Sequence, residues 1–128
     1  MWDTQANIKC SGREHFIDKL ACSNVCKANG MDWSGGMWDP PWTGSEPVCR
    51  CDPVTVFKEC GFSGEKKSFP DYFEGNTQFD GISSIKIAQG YYVGYADREN
   101  PTVYPDTINN SVDCLANKNI RSLGVWRQ

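Results

Sequence analysis

No stretch of this chain is apolar for long enough to cross a bilayer, so none of it reads as a membrane-spanning helix. A basic excess is missing as well. Thirteen Lys and Arg stand against sixteen Asp and Glu, for a net charge of −3. Without a basic stripe there are no counterions to release from phosphates, which argues against a nucleic-acid partner. The same balance argues against a simple cationic membrane-disrupting peptide. Histidine is nearly absent: the one present, His15, falls near an expected helix start, where a surface role is the plain reading. There is no glycine-rich phosphate loop and no nucleophile elbow. Paired carboxylates occur, but in no context that would shift a pKa, and the chain is read as non-enzymatic. The opening residues "MWDTQANIKC" lack the apolar core of a signal peptide, so the expectation is a mature secreted product.

What the chain does have is cysteine, glycine and proline: seven, twelve and seven in 128 residues. Spaced cysteine pairs at this density point to an oxidising compartment, because cytosolic thiols are kept reduced. The expected location is extracellular. The length allows one ordinary domain or two very small ones. The dipeptide Asp52-Pro53 divides it into residues 1–52 and 54–128 with almost no linker, so the two parts are expected to pack together.

In the first part, Ser11 and Glu14 have the spacing of a capping box, in which each side chain satisfies a backbone amide at a helix start. Behind them, Phe16, Ile17, Leu20, Ala21 and Val25 recur at helical intervals. Asn29-Gly30 is a helix stop, since glycine takes the left-handed conformation without steric cost. Cys22 and Cys26 are four apart and share one helix face. Cys49 and Cys51 are two apart and share one side of a strand. Two bridges between these pairs would staple the helix onto a hairpin, each stabilising by roughly 3 kcal/mol through loop closure. A unit this small needs such help, because it cannot bury a sufficient core. Four thiolates could instead hold zinc, although the spacings differ from common zinc ribbons.

"ACSNVCKANG", "SGGMW" and "PVCRC" together resemble an insect-type defensin, a cysteine-stabilised helix and hairpin. The resemblance covers about residues 10–51. It implies the pairing Cys22–Cys49 and Cys26–Cys51, and it places Cys10 where the family's first cysteine would stand. The usual partner of that cysteine is replaced by Trp38, so the third bridge is lost.

The second part repeats itself with a period of 38. Phe57 recurs as Tyr95, Ile82 as Ile120, Ser84 as Ser122, Ile85 as Leu123 and Ile87 as Val125. "VTVFKE", "SSIKIA", "YYVGYA" and "RSLGVW" read as strands, with Gly, Pro, Asn and Asp clustered between them. Two antiparallel units, 54–90 and 91–128, are each too small to bury their own face. They are expected to pack as a sandwich.

"VTVFKECGFSGEKKSF" is similar to the Greek-key motif of the βγ-crystallins, with Phe57, Phe62, Gly64 and Ser68 at the family's spacing. The resemblance implies aromatic residues packed over a folded hairpin, a glycine at its tight turn, and a serine, here taken as Ser68, that ties the hairpin down. The second unit has Asn100 for Phe62 and Thr102 for Gly64, so its first hairpin is expected to be irregular. Many members of that family bind calcium. In "FDGISS" the residues Asp80, Ser83 and Ser84 match the calcium motif and Phe79 does not. In "NKNIRS" the residues Asn117 and Ser122 match, while Lys118 and Arg121 oppose a cation electrostatically. The resemblance therefore implies at most one weakly bound calcium, near Asp80 and Ser83.

The expected fold is thus an α+β, disulfide-stapled helix–hairpin module followed by an all-β Greek-key sandwich. Three tryptophans cluster in the first module. Trp38 is expected to fill the core, while Trp42 and Trp33 are candidates for ligand contact, because indole offers a flat face for a sugar or a membrane interface. Cys10, Cys60 and Cys114 remain. Either Cys10 bridges into the second module or Cys60–Cys114 joins the two repeats, and the odd thiol is free, buried, or links two chains as a dimer. Asn109 heads a glycosylation acceptor pattern. Both resembled families recur in host defence and in toxins. The leading expectation is therefore a secreted antimicrobial or toxin-like protein that binds a microbial or cell-surface glycan or lipid. The other is an extracellular structural protein, weakly calcium-binding at most.

Overall fold

The computed structural model describes residues 7–9, 19–38, 48–99, 101–115 and 119–128, with side chains from residue 22 to 35 and from 49 onward within these ranges. Helix α1 spans Lys19–Ala28 and is the one helix among the described residues. Ser11, Glu14 and His15 lie outside the described residues. The helix stops at Gly30, whose φ of 72° suits glycine. The amide of Met31 donates to the carbonyl of Cys26 at 2.9 Å, and that of Gly30 to Lys27 at 3.0 Å. This pair of bonds is a Schellman cap.

Three strands accompany the helix: β1 (Asn7–Lys9), β2 (Asp32–Trp38) and β3 (Val48–Asp52), with β3 in the middle of an antiparallel sheet. Bonds Cys22–Cys49 and Cys26–Cys51 join α1 to β3 with Cα separations of 5.3 and 5.5 Å. All four cysteines are fully buried. The i, i+4 spacing on the helix meets the i, i+2 spacing on the strand because both repeats carry the side chain about one turn or one pleat forward on the same face.

Pro53 separates β3 from β4 (Val54–Glu59), and its carbonyl accepts from the amide of Ala88 at 2.9 Å. The strands that follow are β5 (Ser63–Phe69), β6 (Glu74–Asn76), β7 (Ser84–Ile87), β8 (Tyr91–Ala96), β9 (Asp106–Ile108) and β10 (Ser122–Arg127). They form two sheets of order β5-β4-β7 and β6-β10-β8-β9. The core between them contains Val54, Val56, Phe69 and Ile85 from one sheet and Tyr91, Val93, Leu123 and Val125 from the other. All ten residues of the 38-residue repeat are buried.

The sheets are not the sequence repeats. Strand β6 belongs to the first repeat but pairs with β10 of the second. In return, Val112 of the second repeat exchanges two backbone hydrogen bonds with Ile85 of the first. Each repeat thus lends a segment to the other's sheet, which couples the two halves more tightly than the face-to-face packing of separate units expected above. Bond Cys60–Cys114 ties the same exchanged region, at a Cα separation of 4.6 Å.

The first hairpin of the first repeat folds over Phe57 and Phe62, whose rings meet edge-on at 5.8 Å. Gly64 has a φ of +83° at its turn. Ser68 does not tie it down. Ser84 does: its hydroxyl donates to the carbonyl of Glu59 at 2.7 Å and accepts from the amide of Phe62 at 3.2 Å. Its repeat mate Ser122 lies 2.7 and 2.8 Å from the carbonyls of Arg98 and Glu99. Only a side chain entering from the neighbouring strand reaches the underside of the folded hairpin, and Ser68 is on the hairpin's own strand. In the second repeat, no strand appears among the described residues between Ala96 and Asp106.

Candidate functional site: the groove between the two units

Side chains alternate along a strand, so the register of β4 with its neighbours decides what the outer face of the first sheet presents. Thr55 stands opposite Ser68 and Lys86, and Phe57 opposite Lys66 and Ser84. These six share the face away from the sandwich core. The capped end of α1 and the start of β2 lie over that face.

Asp32 reaches from the first unit to the second. Its Oδ2 accepts from the Ser68 hydroxyl at 2.8 Å and from the Thr55 hydroxyl at 3.4 Å, and pairs with the Lys66 ammonium at 3.1 Å. Partial burial by itself would raise the Asp32 pKa. The bonds from Ser68, Lys66 and Thr55 outweigh it, and the carboxyl is held below its usual range. Directly across the β2–β3 pairing is Asp52. Burial first, and then the charge of Asp32, push its pKa up to about 6.

Beside this clamp runs a groove of about 320 Å³. Lys27 of α1, Lys66 of β5 and Lys86 of β7 line it together with Asp32, Phe57 and Phe62. The Lys86 ammonium sits 5.6 Å from the centre of the Phe62 ring. A wider hollow of about 640 Å³ shares Gly30, Met31 and Lys86 with the groove and continues it past Asn29, Gln89 and Ser111.

Of the residues singled out from sequence, Phe57 and Phe62 line this groove and Ser68 belongs to the clamp. Trp33, a candidate for ligand contact, is half-buried and packs against the hydrophobic core. It stands opposite Cys51 in the sheet. Trp38 is on β2 opposite Val48, but its side chain lies outside the described residues, as do Trp42 and Cys10. Asp80 is exposed, and Ser83 is engaged through its backbone, with its amide donating to Phe57 and its carbonyl accepting from Leu115. No cluster of three His, Cys, Asp or Glu side chains suited to a metal occurs among the described residues. Asn109 is exposed just after β9. Cys60 and Cys114 are bonded to each other, so neither is left for a bridge from Cys10.

Sequence reasoning passed over Asp32, Lys27, Lys66 and Lys86. Lys66 and Lys86 were within reach, since strand register alone puts them on one face. Nothing local signals that Lys27 joins them.

No protein-family model and no curated protein matches this chain. Solved structures do. A βγ-crystallin domain from Flavobacterium johnsoniae superposes with a TM-score of 0.54 at 25% identity, covering 60% of this chain and 97% of that one. A βγ-crystallin domain from Clostridium beijerinckii gives 0.50 at 18% identity, covering 57% and 95%. The N-terminal domain of protein S gives 0.50 at 20%, covering 58% and 94%. The share of this chain that is covered is about that of residues 54–128. The chain therefore contains a βγ-crystallin-like fold. The defensin-like reading of the first unit rests on its cysteine spacing alone.

Proposed function

We propose that this is an extracellular, non-enzymatic protein of crystallin type, in which a small stapled unit is braced against the Greek-key sandwich to make one stiff body. Three disulfides and the lack of a membrane-spanning helix among the described residues fit that setting. The observation that carries the reading is the Asp32 clamp, which reaches from the first unit to Ser68, Thr55 and Lys66 of the second. Units only strung together would not hold a partly buried carboxylate between them.

Thermal unfolding followed by both near-UV circular dichroism and scanning calorimetry tests this. One cooperative transition is expected, with its midpoint lowered in Asp32→Ala. Two independent transitions in the unaltered protein would refute it. Calcium is a minor element of the reading. Asp80 and the Ser83 hydroxyl offer few of the six to eight oxygens the ion requires. Millimolar calcium is therefore expected to leave the thermal midpoint within about 1–2 °C of its value in chelator, which corresponds to a few tenths of a kcal/mol. A large rise, abolished by Asp80→Asn, would make calcium the organising ligand.

A further inference from the structure

The groove between the units has a chemical character that bracing does not require. The chain as a whole is acidic, at −3. Yet three lysines from three separate elements converge on one hollow of about 320 Å³, against one carboxylate. With screening over about 8 Å at physiological salt, a small ligand responds to this local balance and not to the distant net charge.

Each ammonium is placed differently. Lys66 is anchored by Asp32 at 3.1 Å. Lys86 is held over the Phe62 ring at 5.6 Å. Lys27 sits in the last turn of α1, where the Schellman cap at Gly30 fixes the helix end, and it has no carboxylate partner among the described residues. Phe57 and Phe62 supply an aromatic edge between them. Beyond Lys86 the lining changes to the neutral polar side chains of Asn29 and Gln89.

We propose that this groove binds an acidic oligosaccharide. Its sulfate or carboxylate groups meet Lys27, Lys66 and Lys86, a ring face lies against Phe62, and its hydroxyls run on toward Asn29 and Gln89. Charge-assisted bonds to ammonium groups supply the affinity, and amides are suited to both donor and acceptor hydroxyls. An anionic lipid surface would offer the same charge. It would also call for apolar side chains ready to enter the bilayer next to the lysines. The large exposed apolar residues among those described are Tyr72 and Val103, and neither lines the groove.

The probe is a heparin-derived tetrasaccharide, followed by isothermal titration and by amide shifts in ¹⁵N–¹H spectra of the full chain. Shifts are expected at Lys27, Gly30, Phe62, Lys66 and Lys86, with affinity falling as salt rises. Lys27→Gln and Lys86→Gln are each expected to weaken binding about tenfold. Lys58→Gln, on the same sheet but outside the groove, makes the same charge change and is expected to leave binding within about twofold. Absence of binding overturns the proposal. So does equal weakening by Lys58→Gln, which would mean general charge attraction, or preferential binding to phosphatidylserine vesicles over the tetrasaccharide. Near-UV spectra of each variant establish that loss of binding is not loss of fold.

Discussion

Asp32 and Asp52 face each other across adjacent strands, two carboxylates at directly opposed positions of the β2–β3 pairing. Like charges placed this way repel. Asp32 escapes the conflict because Ser68, Lys66 and Thr55 hold its ionised form. Asp52 bears the cost, with its pKa pushed up to about 6. The two residues consequently give stability opposite dependences on pH.

For Asp52, the folded-state pKa lies above the unfolded value of 3.8. Its contribution is full below the unfolded value and is lost as pH rises through about 6. Asp52→Asn is therefore expected to stabilise the protein at neutral pH, by on the order of 1–2 kcal/mol after allowance for solvent screening. It should change little near the pH of an unperturbed carboxyl group. Urea unfolding midpoints measured across that window check this, and a destabilised variant at neutral pH would contradict it.

Asp32 works the other way. Its folded-state pKa is lowered, so its contribution is present above the ordinary carboxyl range and is lost as acid protonates it. Asp32→Ala is expected to cost about 2–3 kcal/mol at neutral pH, since hydrogen bonds to a charged group are lost and the Ser68 hydroxyl is left partly buried. A double-mutant cycle with Ser68→Ala should show a coupling of about 1 kcal/mol. Additive losses would mean that the 2.8 Å bond between them contributes nothing.

Ser84 and Ser122 are both fully buried at equivalent positions of the repeat. Ser84→Ala strands the Phe62 amide and the Glu59 carbonyl and is expected to cost about 1–3 kcal/mol. Ser122→Ala removes the donor to the carbonyls of Arg98 and Glu99 and is expected to cost an amount in the same range. Equilibrium unfolding of the two variants measures both losses, and a neutral effect of either would contradict it.

The disulfides differ in access. Cys60 and Cys114 are exposed, whereas the four cysteines of the helix staples are fully buried. Mild reduction followed by alkylation and mass spectrometry should label Cys60 and Cys114 before any of the others, because exchange requires a thiolate to reach the sulfur. With six of seven cysteines in bridges, the unreduced, denatured chain should also titrate with one thiol equivalent, or else run as a disulfide-linked dimer through Cys10.

Local pattern was enough for much of this fold. The strands at Val54–Glu59 and Tyr91–Ala96 follow directly from their β-branched and aromatic runs. The 38-residue repeat marks ten buried positions, because a buried position constrains its side chain wherever the unit recurs. The same-face spacing of Cys22 with Cys26, and of Cys49 with Cys51, is a property of helix and strand geometry alone. Packing decided the rest. Which serine ties the hairpin and the exchange of β6 and Val112 between sheets both depend on which strand lies next to which. Asp32 meets Ser68 across 36 residues and Lys66 across nearly as many. The lysine groove opens beside them because the cap at Gly30 sets the end of α1 over a neighbouring sheet. No local period encodes that approach, since it is fixed by how two surfaces dock and not by either one alone.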